Sequence, residues 1–186
     1  MFDSTTGAGR ARARVGGFTL IELMITIAAA SILMAIAVPS FNQMIISGRL
    51  TAQSNEMVAA LSLARSEAIK RNASVTLCRV ALETDNTCAT AAGTWQTWIV
   101  LAGGAGTVIR RGTVNTFSGS LVMRSTLTTD QVVFGPDGLA RTGNAMVADH
   151  TITVCSSRRG VDRNTRRVVL GAGSRMSTQV STATCS

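Results

Sequence analysis

The feature that most constrains this chain is an apolar run near its N-terminus. Residues 18–38 contain a single charged side chain, Glu22, in 21 positions. A helix of this length covers roughly 30 Å, the thickness of the hydrocarbon core of a bilayer. Arg10, Arg12 and Arg14 precede the run, and the positive-inside rule then places the N-terminus in the cytoplasm and the remainder outside. The run therefore predicts one membrane-spanning helix.

A cleaved secretory signal is the competing interpretation of the same run. The apolar region of such a signal is about 7–15 residues long and ends at a small-x-small cleavage site. The run here is longer, and its pattern does not break at such a site. We therefore expect residues 1–17 to be a small, polar and basic leader outside the fold, and residues 18–38 to remain as a helix.

Helical character continues past Pro39 to about Asn72. Apolar positions in this segment step by four, three and four residues and form one stripe of a helix: Met57, Leu61, Ala64 and Ala68. Pro39 and Gly48 are expected to bend or loosen the helix without ending it. Residues 39–72 are thus predicted to be an amphipathic continuation of the apolar helix.

Residues 73–186 change to short β-rich runs separated by Gly, Asn, Asp and Pro. The runs are SVTLCRV, TWQTWIVL, TVIRR, SLVMR, QVVF, TITVC, RRVVL and RMSTQV, and their spacing is typical of an antiparallel sheet or sandwich. Trp95 and Trp98 lie three apart, so strand alternation predicts one in the core and one partly exposed. The predicted fold class is α+β: a long N-terminal helix, transmembrane in its first half, packed on an antiparallel β-sheet or sandwich.

The cysteines of the chain are Cys78, Cys88, Cys155 and Cys185. Their spacings differ from the C-x2-C of a zinc site and there is one histidine, so we expect no metal and no cofactor. An even number of cysteines in an exported domain favours two disulfides. Of the three possible pairings, Cys78–Cys88 and Cys155–Cys185 are favoured, because each closes a loop whose ends could meet.

The segment GGFTLIELMITIAAASILMAIAVPSF resembles the class III signal of type IV prepilins and pseudopilins. Gly17 precedes the cleavage point, Phe18 follows it, Glu22 is the fifth residue of the mature chain and Pro39 is its twenty-second. The resemblance implies that a prepilin peptidase cuts after Gly17 and N-methylates Phe18. It also implies that the Glu22 carboxylate pairs with the free N-terminus of a neighbouring subunit. Such a pair would offset the cost of an acid in the bilayer, which is roughly 2.5–3.5 kcal/mol at the centre of a membrane helix and less near an end, where Glu22 lies.

The later segments MVAALSLARSEAIKRNASVTLCR, FGPDGLAR and RRVVLGAGSRMS resemble the GspH/FimT group of minor pseudopilins. Together with the signal, the resemblance covers most of residues 16–178. It implies a minor subunit that assembles into, primes or caps a type IV pilus or the pseudopilus of type II secretion. The implied partners are other major and minor pilins or pseudopilins, a prepilin peptidase and the bacterial inner membrane, with residues 73–186 in the periplasm. The chain contains no G-x-S-x-G or other catalytic constellation, so no enzyme is expected.

A second hypothesis is that the chain binds DNA during uptake through its arginine-rich C-terminal segment. The candidate residues are Arg158, Arg159, Arg163, Arg166, Arg167 and Arg175, against one acid in the same segment, Asp162. Members of the group that bind DNA are thought to use a G-R-x-R motif, whereas residues 173–176 here read Gly-Ser-Arg-Met. The competing interpretation is a solvated hairpin whose arginines discourage pairing at a strand edge.

Overall fold

The structure is a computed structural model that describes residues 17–103, 106–114, 121–158 and 161–185, apart from the side chains of residues 36 and 39. Its one long helix, α1, spans Leu20–Arg71. The chain divides into two compact units, Met1–Ser40 and Phe41–Ser186. The leader predicted for residues 1–17 lies outside the described residues except for Gly17.

Both ends of the helix have local capping interactions. At the start, the Thr19 hydroxyl accepts a hydrogen bond from the Glu22 backbone N–H (3.3 Å), as an N-cap residue does. At the end, Asn72 takes a left-handed backbone conformation (φ 49°), and the Ala73 N–H bonds the carbonyl of Ala68 (3.2 Å). A residue in this conformation satisfies the last carbonyls and ends a helix, which matches the boundary predicted from the sequence.

The described residues after the helix form ten strands in two antiparallel sheets. The strands are β1 Val75–Arg79, β2 Thr97–Ala102, β3 Thr107–Thr113, β4 Leu121–Ser125, β5 Gln131–Phe134, β6 Ala140–Thr142, β7 Ala145–Met146, β8 His150–Ser156, β9 Thr165–Gly171 and β10 Arg175–Ser181. Sheet A has the order β3-β2-β1-β5-β6-β7 and sheet B the order β10-β9-β8-β4. The α+β fold class is confirmed, and the sequence missed only β6 and β7, which are three and two residues long.

One hydrophobic core joins the second half of the helix to both sheets. The predicted stripe of Met57, Leu61, Ala64 and Ala68 is fully buried. It belongs to one cluster with Leu77 and Phe134 of sheet A and Ile152 and Leu170 of sheet B. Alanine at three successive turns of this face, Ala60, Ala64 and Ala68, lets the helix backbone approach the sheets closely, so the core depends on small as well as large side chains.

The two tryptophans are both fully buried in this core, so the prediction that one is partly exposed was wrong. Trp95 precedes β2, and strand alternation therefore does not relate it to Trp98. The ring of Trp98 lies against Gly112 of β3, where an added Cβ would come within 2.1 Å of a ring carbon. The Arg110 guanidinium lies 5.8 Å from the centroid of the same ring.

A smaller hydrophobic cluster covers the opposite face of sheet A. It consists of Cys78, Val80, Ile99 and Leu101 with the half-buried Cys88 and Val108. Arg111 of β3 holds the loop over this face by donating to the Asp85 carbonyl and the Asn86 side chain, each at 2.7 Å, and to the Glu83 carbonyl. The Cys78–Cys88 disulfide fixes the same loop to β1.

A buried carboxylate connects this loop to the rest of the domain. Asp130 is 1% exposed, and one of its oxygens accepts from Arg79 Nε (3.2 Å) and the Gly93 N–H (2.6 Å). Its other oxygen accepts from the Ser125 hydroxyl. A buried charge is tolerated where it is paired and hydrogen-bonded in this way, so the cluster is a structural ion pair.

Candidate assembly site

The peptide bond between Gly17 and Phe18 lies in an accessible segment without regular structure, just before the helix. Phe18 is 82% exposed. A side chain at residue 17 would have open space, since nothing lies within 4 Å of an added Cβ there. Packing of the described residues therefore does not explain a glycine at position 17. Recognition of this segment by another protein, such as a peptidase, is an alternative reason for it.

Glu22 occupies the third position of the helix and is exposed. Its carboxylate makes no ion pair with any residue that the structure describes. Together with Thr19 it forms the T-x-x-E pattern of a capping box, and an acid in the first turn is favoured by the helix dipole. The sequence analysis missed Thr19, although this spacing was available to find it.

The helix around Glu22 presents an apolar surface to its surroundings. The large apolar side chains here are 55–77% exposed: Leu20, Ile21, Leu23, Met24, Ile25, Ile27, Ile32, Leu33, Met34 and Val38. The hydroxyls of Thr26 and Ser31 donate to carbonyls of their own helix at 2.8 Å, so they do not need water. By length and composition this helix can cross a membrane.

Two disulfides stabilise the ends of the sheet domain. The structure pairs Cys78 with Cys88 and Cys155 with Cys185, with Cα–Cα distances of 5.5 and 5.7 Å. This is the pairing that loop closure favoured. Near the second bond, Asn164 donates to the Ala183 carbonyl and accepts from the Ala183 N–H, each at 3.0 Å. The C-terminal segment is therefore held against the end of sheet B.

The arginine candidates for DNA binding do not form one uniform surface. Arg158, Arg163, Arg167 and Arg175 are exposed, and Arg159 lies outside the described residues. Arg166 is only 7% exposed and belongs to the interior, because side chains alternate along β9 and Arg166 points with Val168 and Leu170. The structure thus corrects the sequence-based expectation that Arg166 is available to a phosphate.

Arg166 contacts the helix through neutral oxygens. Its Nη2 donates to the Ser47 hydroxyl (3.0 Å), its Nε to the Thr51 hydroxyl (3.3 Å) and its Nη1 to the Arg163 carbonyl (2.7 Å). Burial lowers the pKa of Arg166 below its usual value, and the nearby charge of Arg163 lowers it further. The side chain joins β9 to the helix at residues 47–51.

The turn between β9 and β10 explains why a G-R-x-R motif would not fit here. Gly173 and Ser174 both have left-handed backbone conformations (φ 70° and 62°). Ser174 is 3% exposed, and its hydroxyl accepts from the Ala140 N–H at 2.6 Å. An arginine in place of Ser174 would lose this contact and would have to fit a longer side chain at a buried position.

The described residues contain no group of three or more His, Cys, Asp or Glu side chains that could hold a metal ion. The described features at the N-terminus are an accessible Gly–Phe bond, a first-turn acid without an ion pair among the described residues and an exposed apolar surface.

Comparisons with known proteins bear on the same two parts of the molecule. A family model for the type II transport protein GspH matches residues 53–174, and one for the prokaryotic N-terminal methylation motif matches residues 12–38. A search of the curated proteins finds no match.

Two crystal structures of the type IV minor pilin FimU from Pseudomonas aeruginosa (strain PAO1) are similar to this chain. The first has 15% identity and a TM-score of 0.52, over 72% of this chain and 90% of that chain. The second, in another crystal form, has 18% identity and a TM-score of 0.49, over 70% of this chain and 92% of that chain. At these identities the similarity concerns the fold. Because the GspH model covers more than half of its residues, the chain belongs to the GspH family of minor pilin-like proteins and carries the pilin-type N-terminal methylation motif.

Proposed function

We propose that this protein is a minor subunit of a type IV pilus or type II secretion pseudopilus, assembled through its N-terminal helix after prepilin peptidase cuts between Gly17 and Phe18. The observation that carries the proposal is the exposed apolar helix with an acid, Glu22, that has no ion pair among the described residues. Such a helix needs apolar surroundings, and such an acid needs a cation.

Cleavage supplies the cation. It creates an α-amino group on Phe18, directly before the helix N-terminus, where the helix dipole disfavours a positive charge. The Glu22 carboxylate of a neighbouring subunit neutralises this amine, so two charges are removed from the lipid together. Because both groups lie at fixed positions on their helices, the pair also sets the axial stagger between subunits.

The same proposal assigns a place to each segment. Residues 1–17 are cytoplasmic and removed, residues 18–38 span the inner membrane before assembly, and the continuation 39–72 joins them to a periplasmic domain, residues 73–186. Two disulfides accord with an oxidising compartment such as the periplasm. In the fibre, the apolar helix leaves the lipid and packs among the helices of other subunits, where the protein primes or caps assembly.

The proposal is tested by variants at the first turn, followed in sheared fibres and in membranes. Glu22→Gln is expected to lower incorporation strongly while the variant accumulates in the membrane. Thr19→Ala is the matched control, because it removes the cap, at about 1 kcal/mol of helix stability, but keeps the acid. Normal incorporation of Glu22→Gln, or equal losses in both variants, would contradict the proposed pairing of the Glu22 carboxylate with the Phe18 amine.

A second candidate function is DNA binding during uptake. It is favoured by the exposure of Arg158, Arg163, Arg167 and Arg175, none of which has an ion pair within the described residues. The full chain in detergent can be titrated with duplex DNA at several salt concentrations. The slope of log K against log salt is negative, and each phosphate contact that an Arg→Ala change removes reduces its magnitude by about 0.9. Binding without salt dependence, or unchanged slopes in the four variants, would remove this candidate.

A further inference from the structure

The free edges of the two described sheets differ in how well they are protected against pairing. β3 has Arg110 and Arg111 on its strand and a register shift opposite Val100 and Leu101. β7 is only two residues long. β4 has five residues and an exposed arginine, Arg124, near its end. Charges, bulges and short length are the usual devices that keep a sheet edge from pairing with another chain.

The fourth edge, β10, has almost none of these devices. It runs for seven residues, Arg175–Ser181, and five of them are exposed. Its pairing with β9 is regular along its whole length. It contains no proline, and its one charge, Arg175, is at its first position. β10 therefore offers an extended row of backbone donors and acceptors to a further strand.

Of the arginines in this segment that the structure describes, only Arg175 lies on β10, at its first position. Arg166 and Arg167 lie on β9, which is between β8 and β10, so they are not at an edge. The sequence-based interpretation that arginines discourage edge pairing here thus does not describe β10. Instead, Arg167 is exposed in the register row of Gln179, on the outer face of sheet B.

The charges around β10 select the kind of strand that could pair with it. Strands β9 and β10 contain no acidic residue, and neither Arg167 nor Arg175 makes an ion pair with a described residue. An added strand would lie about 5 Å from β10 and about 10 Å from β9. Glutamates on the outer face of the added strand would lie next to Arg175 and Gln179 of β10. An extended glutamate side chain and an extended Arg167 side chain could also reach each other across β10.

We propose that β10 binds an extended acidic segment of a partner polypeptide as a fifth strand of sheet B. A second copy of this chain is a poor occupant, because its net charge is +8 and its own β10 would bring another arginine and no acid. A nucleic acid has phosphates for the arginines but lacks the alternating N–H and C=O groups that pair with a strand edge. The proposal goes beyond subunit assembly through the helix and does not require leader cleavage.

The first experiment measures binding of a labelled seven-residue peptide of alternating glutamate and valine to the full chain in detergent micelles. Two N-methylated versions of this peptide separate strand pairing from charge attraction. In each, alternate backbone amides are methylated, so that one peptide loses the donors of one strand edge and the second those of the other. Strand addition predicts that one version keeps affinity and the other loses about tenfold or more. Equal binding of the two, or no binding of the parent peptide, would overturn the proposal.

The second experiment locates the site with matched arginine variants. Arg167→Ala and Arg175→Ala are each expected to weaken peptide binding several-fold, whereas Arg124→Ala, at the opposite edge of sheet B, leaves it unchanged. Equal weakening by all three would indicate attraction to net charge and overturn the proposal. So would dimers of the chain in sedimentation that no longer bind the peptide, because a second copy would then occupy the edge. Fibre incorporation of Glu22→Gln reports on the proposed function separately, since β10 is intact in that variant.

Discussion

The two halves of α1 share one backbone geometry and have opposite surroundings. Among the side chains that the structure describes within residues 20–38, the large apolar ones are exposed, whereas the apolar stripe between Ile46 and Ala68 is buried under two sheets. The second half is amphipathic because its own chain covers one face. The first half is apolar all round, which is typical of a helix surrounded by lipid or by other helices. The comparison shows that the chain itself covers one half, whereas the described apolar side chains of the other half are left exposed.

The largest expected effect comes from truncating a leucine in each half of the helix. Leu61→Ala is expected to lower the free energy of domain unfolding by about 2–5 kcal/mol, because it removes a fully buried side chain. Leu33→Ala, the matched change in the first half, is expected to leave it unchanged. Denaturant titration in detergent with tryptophan fluorescence measures both, since the chain has two tryptophans and both lie in the domain. Similar losses in the two variants would contradict the division.

A smaller effect tests how tightly the core under the second half is packed. Gly112→Ala places a Cβ against the Trp98 ring, and overpacking of this kind costs about 1–3 kcal/mol. Gly48→Ala is the control, because nothing lies within 4 Å of an added Cβ there and alanine favours a helix. The same titration should show a loss for Gly112→Ala and no loss for Gly48→Ala. An unchanged midpoint for Gly112→Ala would mean that the ring has room to move.

The buried Arg166 tests whether β9 stabilises the start of the second half of the helix. Arg166→Met removes the hydrogen bonds to Ser47 and Thr51 and is expected to cost about 1 kcal/mol. Hydrogen exchange should then rise at residues 46–51 while residues 57–68 stay protected. If hydrogen exchange at residues 46–51 were the same in Arg166→Met and in the unchanged protein, this arginine would not stabilise that part of the helix.

The smallest effect is a pH dependence confined to the sheet domain. The hydrogen bond from Arg141, and next that from the Leu139 N–H, lower the pKa of Asp137 from 3.8 to about 2. A lowered carboxyl pKa stabilises the fold above pH 3.8, and this contribution is lost as the pH falls towards 2. Asp137→Asn should therefore flatten the decrease in unfolding midpoint between about pH 4 and pH 2, and Leu33→Ala should not. An identical pH profile for Asp137→Asn would contradict this assignment.

Regular patterns allowed much of this molecule to be predicted from its sequence. The stripe from Met57 to Ala68 was readable because helical periodicity and burial coincide there, and each of the eight β-rich runs contains a strand. The two strands missed, β6 and β7, are too short to show alternation. Both Trp95 and Trp98 are buried because Trp95 lies before β2 and does not follow the alternation of the strand. The sequence pattern did not show where β2 begins.

At the candidate sites, the sequence indicated which residue types are present but not which of their side chains are exposed. The Gly–Phe–x–x–x–Glu spacing is local, so Gly17, Phe18 and Glu22 could be recognised directly. Arg166 looked equivalent to Arg167, because a run of arginines does not reveal which strand face is covered. The exposed edge at β10 could not be foreseen, because strand order in a sheet depends on long-range pairing.

The most direct test of the account is the mass of the intact protein purified from cells with an active prepilin peptidase. If the leader is cut and Phe18 is N-methylated as proposed, the purified chain begins at Phe18, is heavier by one methyl group than the unmodified residues 18–186, and has both disulfides formed. A chain that still begins at Met1 under these conditions would contradict the account, because the amine that Glu22 is proposed to neutralise would not exist.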